Sequence, residues 1–163
     1  MKTLLIVWHS RTGGALQMAQ AAAAGAAEEP AVVARLLPAA AASAEDLLAA
    51  DGYLFAAPEN LAALSGAMKE FFDRNYYPVL DRIQGRPYAA MICAGSDGTG
   101  ALRQITRIAA GWRLRAVADP LIVCTHAQTP EAIAAEKTLA PQALEPCREL
   151  GLALAAGLAL GVF

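Results

Sequence analysis

Two short glycine-rich stretches stand between an apolar run and a helix, and one of them carries residue types that can grip an anion. The first is His9-Ser10-Arg11-Thr12-Gly13-Gly14, between the apolar run Leu4 to Trp8 and an alanine-rich segment that opens at Ala15. A strand, a small polar loop and a helix in that order gather backbone N–H groups that the helix leaves unpaired, at the positive end of its dipole. That is the outline of a phosphate site. Ser10 and Thr12 add hydroxyl donors, Arg11 adds a cation, and Gly13 and Gly14 let the backbone approach without a Cβ in the way. The same residues also suit an ordinary strand-to-helix turn with a Ser or Thr cap. The second stretch, Gly95-Ser96-Asp97-Gly98-Thr99-Gly100, again follows an apolar run and opens a helix.

Length and composition narrow the classes. A chain of 163 residues suits a single domain, 1–163, with room for a three-layer core. Hydrophobic residues make up 56% and charged ones 17%, and the many alanines suit helices packed closely on a sheet rather than a disordered chain. A net charge of −2 gives no electrostatic reason to expect nucleic acid or an anionic membrane as partner. Cys93, Cys124 and Cys147 are scattered, odd in number and outside any CxxC pattern, which points to a reducing compartment. With His9 and His126 the only histidines, no metal is assigned. The apolar stretch from Leu150 to Phe163 is shorter than the ~20 residues of a spanning helix, and the cytoplasm is the default location.

The elements that position the two loops follow from hydrophobic patterning. Leu4–Trp8 is continuously apolar, as in a parallel strand covered on both faces. A helix over Ala15 to about Ala27 ends at Glu28-Glu29-Pro30, and Ala31–Leu37 is a second strand nearer an edge. Ser43 opens a helix with Glu45 and Asp46 in its first turn. Asp51–Ala57 is a third strand, closed by Pro58-Glu59-Asn60. Leu64 to about Tyr77 is a helix with Met68, Phe71 and Phe72 inward and two i,i+4 pairs, Lys69 with Asp73 and Glu70 with Arg74. A fourth strand over Tyr88–Ala94, a helix from Ala101 to about Trp112 and a fifth strand over Ala116–Thr125 complete the alternation. Thr129-Pro130-Glu131 reads as a helix start, and a last helix runs from near Pro146 to about Leu160. Strands alternating with helices predict an α/β three-layer sandwich around a five-stranded parallel sheet of order 2-1-3-4-5, with a ligand at the carboxyl edge where the order reverses.

IVWHSRTGGALQMA at 6–19 and AAPENLAALSGAMKEFFDR at 56–74 resemble the flavodoxin-like flavoproteins, in particular the small NAD(P)H-dependent FMN reductases and multimeric flavodoxin-type quinone reductases. The resemblance implies a flavodoxin-like fold and FMN. Ser10, Arg11, Thr12, Gly13, Gly14 and Ala15 would hold its phosphate, and Pro58, Glu59, Asn60 and Leu61 would line the isoalloxazine. Ala94, Gly95, Ser96, Asp97 and Gly98 would flank the ring from the third loop. Ala15 stands where the family usually has Thr or Ser, a lost donor worth ~1.5 to 3 kcal/mol, or about ten- to hundredfold in affinity. The ring loop also lacks the family's aromatic.

The function implied is an FMN oxidoreductase that moves two electrons from NAD(P)H to a small-molecule acceptor such as a quinone or free flavin. The cofactor supplies the chemistry, so no catalytic acid or base is assigned. Related reductases imply a homo-oligomer. A one-electron-carrier flavodoxin and a binding module that has lost FMN are the alternatives. Arg103, Arg107, Arg113 and Arg115 lie in an acid-free stretch, either as a solvated helix face or with Arg103 receiving the 2′-phosphate of NADPH.

Overall fold

The computed structural model describes all 163 residues. In chain order it runs β1 (Lys2–Trp8), α1 (Gly14–Ala26), β2 (Val32–Pro38), α2 (Ala44–Ala49), β3 (Gly52–Asn60), β4 (Ala63–Leu64) and α3 (Gly66–Val79). It continues through β5 (Pro87–Ala94), α4 (Thr99–Gly111), β6 (Arg115–Ala116), β7 (Leu121–Cys124), α5 (Pro130–Ala134) and α6 (Pro141–Leu160). Ser43 caps α2 in a capping box with Asp46, and the Thr129 hydroxyl caps α5 by accepting from the Ala132 N–H at 3.1 Å.

The sheet has seven strands in the order β2-β1-β3-β5-β6, with β4 paired to β3 and β7 to β5, instead of the five expected. All pairings are parallel except β3 with β4. Two local causes account for the extra strands. The expected strand over 116–125 is interrupted at Asp119-Pro120, where proline has no N–H for the ladder, so β6 and β7 pair with β5 as separate pieces. Pro58, Glu59 and Asn60 do not close β3. They extend it, and the chain folds back so that Glu59 opposes Leu64 and Asn60 opposes Ala63. The last helix also starts earlier than expected, at Pro141, with Pro146 inside it.

The apolar runs lack alternation because both faces of the sheet are covered. Leu5, Val7, Tyr53, Phe55, Tyr88 and Ile92 face a core shared with α2, α3 and α4. Their neighbours Leu4, Ile6, Leu54, Ala56, Met91 and Cys93 face a second core under α1 and α6. The two cores differ in kind. Phe72 lies with ring centroids 5.1 Å from Phe55, 5.1 Å from Phe71 and 5.2 Å from Trp112, an edge-to-face cluster. The α1–α6 side is built from small residues, and there the helix backbones touch. A Cβ on Gly151 would lie 1.9 Å from the Ala22 carbonyl oxygen.

That contact predicts that Gly151→Ala forces α1 and α6 apart and lowers stability by about 1 to 3 kcal/mol. It should be read as a lower urea midpoint at unchanged slope. Gly111→Ala, in α4 with nothing within 4 Å of the added methyl, should instead be neutral or stabilising by up to about 1 kcal/mol.

Candidate functional site

The carboxyl ends of β1, β3 and β5 bring the three loops with chemistry to one edge, on either side of the point where chain order reverses between β1 and β3. Two helices, α1 and α4, point their N-termini at this edge. Each is preceded by a glycine in the left-handed region, Gly13 at φ 96° and Gly98 at φ 92°. Their N–H groups meet different fates.

At α4 the N–H groups of Gly98, Thr99 and Ala101 are answered from within the chain. Glu59 turns its carboxylate onto the helix, accepting from the Gly98 N–H at 2.9 Å with one oxygen and from the Ala101 N–H at 3.1 Å with the other. Asp97 accepts from the Thr99 N–H and hydroxyl at 3.2 and 2.7 Å, and those bonds hold its carboxyl below the usual range, with a smaller contribution from Arg103. Glu59, one of the residues expected to line a ring, thus also caps a helix. The Gln104 side chain on α4 accepts from the Leu64 N–H at 2.6 Å, so the β3–β4 hairpin is tied to α4 at two points. Its turn residues, Leu61 and Ala62, both have positive φ, 51° and 61°, and Leu61 is fully exposed.

At α1 the donors remain open. The Gly13 N–H donates to the Ser10 hydroxyl at 3.0 Å, whereas the N–H groups of Gly14, Ala15 and Leu16 have no partner within the chain. Of these three residues Leu16 lines a cleft of about 370 Å³, together with Trp8, Ser10, Arg11, Thr12, Gly13, Ala134 and Glu136. Ala15 is buried, its methyl in the α1–α6 core, and only its backbone faces the loop chemistry. Gly14 is required by β5 beneath it, since a Cβ there would lie 2.4 Å from the Cys93 sulfur.

Three residues lock this loop in place: His9, from within the stretch the sequence marks, and Gln17 and Lys137, from outside it. His9 donates its N–H to the Ala56 carbonyl at 3.0 Å, and its Nδ1 lies 2.8 Å from the hydroxyl of the fully buried Ser65 at the start of α3. Gln17 donates to the Gly13 and Lys137 carbonyls at 3.0 and 2.7 Å and accepts from the Leu139 N–H at 2.9 Å. The Lys137 N–H donates to the Thr12 carbonyl at 2.7 Å. Gln17 had a signal, a polar residue one turn after Gly13 in a helix otherwise almost wholly apolar; Lys137, 125 residues from Thr12, had none.

Of the remaining expected residues, Pro58 and Asn60 are half-buried in the β3 extension. Ala94 is buried at the end of β5, Gly98 is buried, and Gly95 and Ser96 are exposed. Arg113 pairs with Asp81 at 2.6 Å, while Arg103, Arg107 and Arg115 are exposed. A second concavity, of about 290 Å³, lies between the C-terminal ends of α3 and α4, lined by Tyr76, Tyr77 and Trp112, at the opposite end of the sheet.

The architecture defined by this sheet and edge is that of the flavodoxin-like flavoproteins. Residues 24–128 match the model of the NADPH-dependent FMN reductase family, and the chain belongs to that family. The match does not extend to the 10–14 loop. A flavodoxin from Aquifex aeolicus (strain VF5) is 29% identical over 100 residues, 61% of this chain and 54% of the relative, so the chain spans about half of that relative's length. Among solved structures, the flavodoxin, WrbA-like protein from Agrobacterium tumefaciens superposes with a TM-score of 0.77 at 20% identity, over 99% of each chain. A flavodoxin from the domain Archaea gives 0.77 at 16% identity, over 96% of this chain and 98% of that one. A flavodiiron core from Synechocystis gives 0.78 at 16%, covering 98% of this chain but 36% of its own. These three likenesses concern the fold.

Glu59→Gln puts an amide NH₂ against a helix N–H and should cost about 1 to 3 kcal/mol, with faster hydrogen exchange at Gly98 and Ala101. Burial, and then the Arg11 charge, hold the His9 imidazole below its ordinary value of 6.5. The unfolded chain therefore takes up that proton first as pH falls, and stability drops through the window just below 6.5. An NMR titration of His9 should show its midpoint under 6.5, and His9→Gln should flatten that part of the stability profile.

Proposed function

We propose that this chain is an FMN oxidoreductase that accepts a hydride from NAD(P)H and passes two electrons to a small acceptor such as a quinone or free flavin. The observation that carries the reading is the open N-terminus of α1, with three unpartnered N–H groups at the reversal point of the sheet. Membership of the NADPH-dependent FMN reductase family supports it. The residues fit the phosphate end of FMN, because the donors converge there with Arg11 and no carboxylate accepts from them. FMN supplies the hydride chemistry when bound.

The chain's own residues orient the cofactor and shield it. Ser10, Arg11, Thr12, Gly13, Gly14 and the Ala15 N–H hold the phosphate. The β3–β4 hairpin, Pro58 to Leu61, and the Ala94–Gly98 loop flank the ring. Glu59 acts there through α4 by fixing the hairpin, with its carboxylate kept off the ring by two helix N–H groups. Asp97 is likewise committed to Thr99. Arg103, exposed on α4, is the group we assign to the 2′-phosphate of NADPH.

A second reading, a one-electron carrier, draws on the likeness to flavodoxins over nearly the whole chain. Purified protein should be yellow and release FMN on denaturation, and Thr12→Ala should weaken FMN about tenfold or more by fluorescence titration. Anaerobic addition of NADPH should bleach the flavin in one two-electron step. Reduction by dithionite in two separate one-electron steps, with no response to NADH or NADPH, would establish the carrier. Colourless protein that takes up no FMN would sink both readings, and an unaltered NADPH to NADH preference in Arg103→Ala would remove that arginine's role.

A further inference from the structure

Lys137 is the one cation that a distant segment delivers to the open loop. It follows α5, and its ammonium donates to the Ile133 carbonyl at 3.0 Å and the Ala135 carbonyl at 2.5 Å, with the Thr12 hydroxyl at 3.4 Å. The first two contacts are those of a cation capping the end of a short helix. The third sets a positive charge beside the N-terminus of α1, which already carries the positive end of a dipole and, one residue before Thr12, the Arg11 guanidinium. Like charges gathered in this way oppose folding unless something negative answers them. No direct partner provides it: neither Arg11 nor Lys137 is in an ion pair, although Lys2, Arg35, Lys69, Arg74, Arg113 and Arg148 all are. Glu136 lines the same cleft but makes no ion pair with its neighbour. Nor is Lys137 free to swing away, because its N–H and carbonyl are held by Thr12 and Gln17 at 2.7 Å each.

We propose that Lys137 is a specificity-determining residue that selects a terminal, dianionic phosphate at the α1 loop, compensating for the hydroxyl that Ala15 lacks. The inference rests on the FMN reading for the ligand's identity but not for its chemistry. Lys137 acts through its charge and through the Thr12 hydroxyl, which it orients toward the loop opening by occupying the oxygen's acceptor side.

The test compares wild type with Lys137→Met and Lys137→Arg, using three probes: FMN, riboflavin, which lacks the phosphate, and inorganic phosphate followed at the Gly14 amide by NMR. The methionine variant should bind FMN and phosphate about tenfold more weakly with riboflavin unchanged, and its FMN affinity should depend less on salt. The arginine variant should stay near wild type, which keeps the test valid if the methionine variant folds poorly. Equal weakening of FMN and riboflavin would make Lys137 a purely structural strap and overturn the proposal, as would no change in either. If wild type takes up no flavin yet binds phosphate in a Lys137-dependent way, the FMN reading falls and this one stands. Absence of any phosphate response at Gly14, with FMN or without it, ends both.

Discussion

Two helix N-termini meet one edge of a parallel sheet, and the chain answers only one of them. The Glu59 carboxylate fills the end of α4, whereas Gly14, Ala15 and Leu16 at α1 keep their N–H groups. Since each terminus attracts an anion by the same physics, an internal anion at one and none at the other decides where an external anion can go. The two glycine-rich loops are therefore not equivalent. One is a structural joint, and the other keeps its donors open.

The joint also explains a hairpin that local preference disfavours. A two-residue turn with both φ values positive ordinarily takes Asn-Gly, yet here it is Leu61-Ala62. Left-handed conformations cost non-glycine residues about 1 to 2 kcal/mol each. The two hydrogen bonds from α4 to Glu59 are to a charged group and contribute about 1.5 to 3 kcal/mol each, enough to hold the turn. The hairpin is pinned at its base by Glu59 and Gln104, and close packing reinforces them, since a Cβ on Gly100 would lie 2.2 Å from the Ala62 carbonyl oxygen. Leu61 consequently stands clear of the protein on a rigid support.

Strand and helix identities were legible because burial on both faces leaves runs such as Leu4–Trp8 and Tyr88–Ala94 without polar interruption, and because Ser43 and Thr129 cap helices by local bonds. The α1 loop was legible for the same local reason. What escaped was whatever depended on a distant partner. Nothing near Glu59 in the chain says that its carboxylate crosses to α4, 39 residues on, and an apparent strand end is the arm of a hairpin. Lys137 and Ser65 reach their loops through tertiary contacts of the same kind. Pro120 was visible, but its effect depended on whether its neighbours lay in the β5 ladder.

Each loop at the edge is thus fixed by an anchor outside itself: the first by Ser65 and by Gln17 with the 137–139 segment, the hairpin by α4, and the Ala94–Gly95 turn by the Thr125 and His126 N–H groups at 2.9 and 2.8 Å. Donors held in this way need no reorganisation when an anion arrives, so less binding energy is lost to ordering the loop. The rigidity is inherited from the layers beneath. Gly14 sits on Cys93 and α1 sits on α6 with backbone contact, so the N-terminus of α1 cannot tilt without disturbing the small-residue core. Ala15 fits that arrangement. Its methyl is buried in that core, so what it presents to the loop is its backbone. The positive charge beside the open N–H groups of α1 comes from residues outside the α1 packing, Arg11 in the loop itself and Lys137 against the Thr12 hydroxyl.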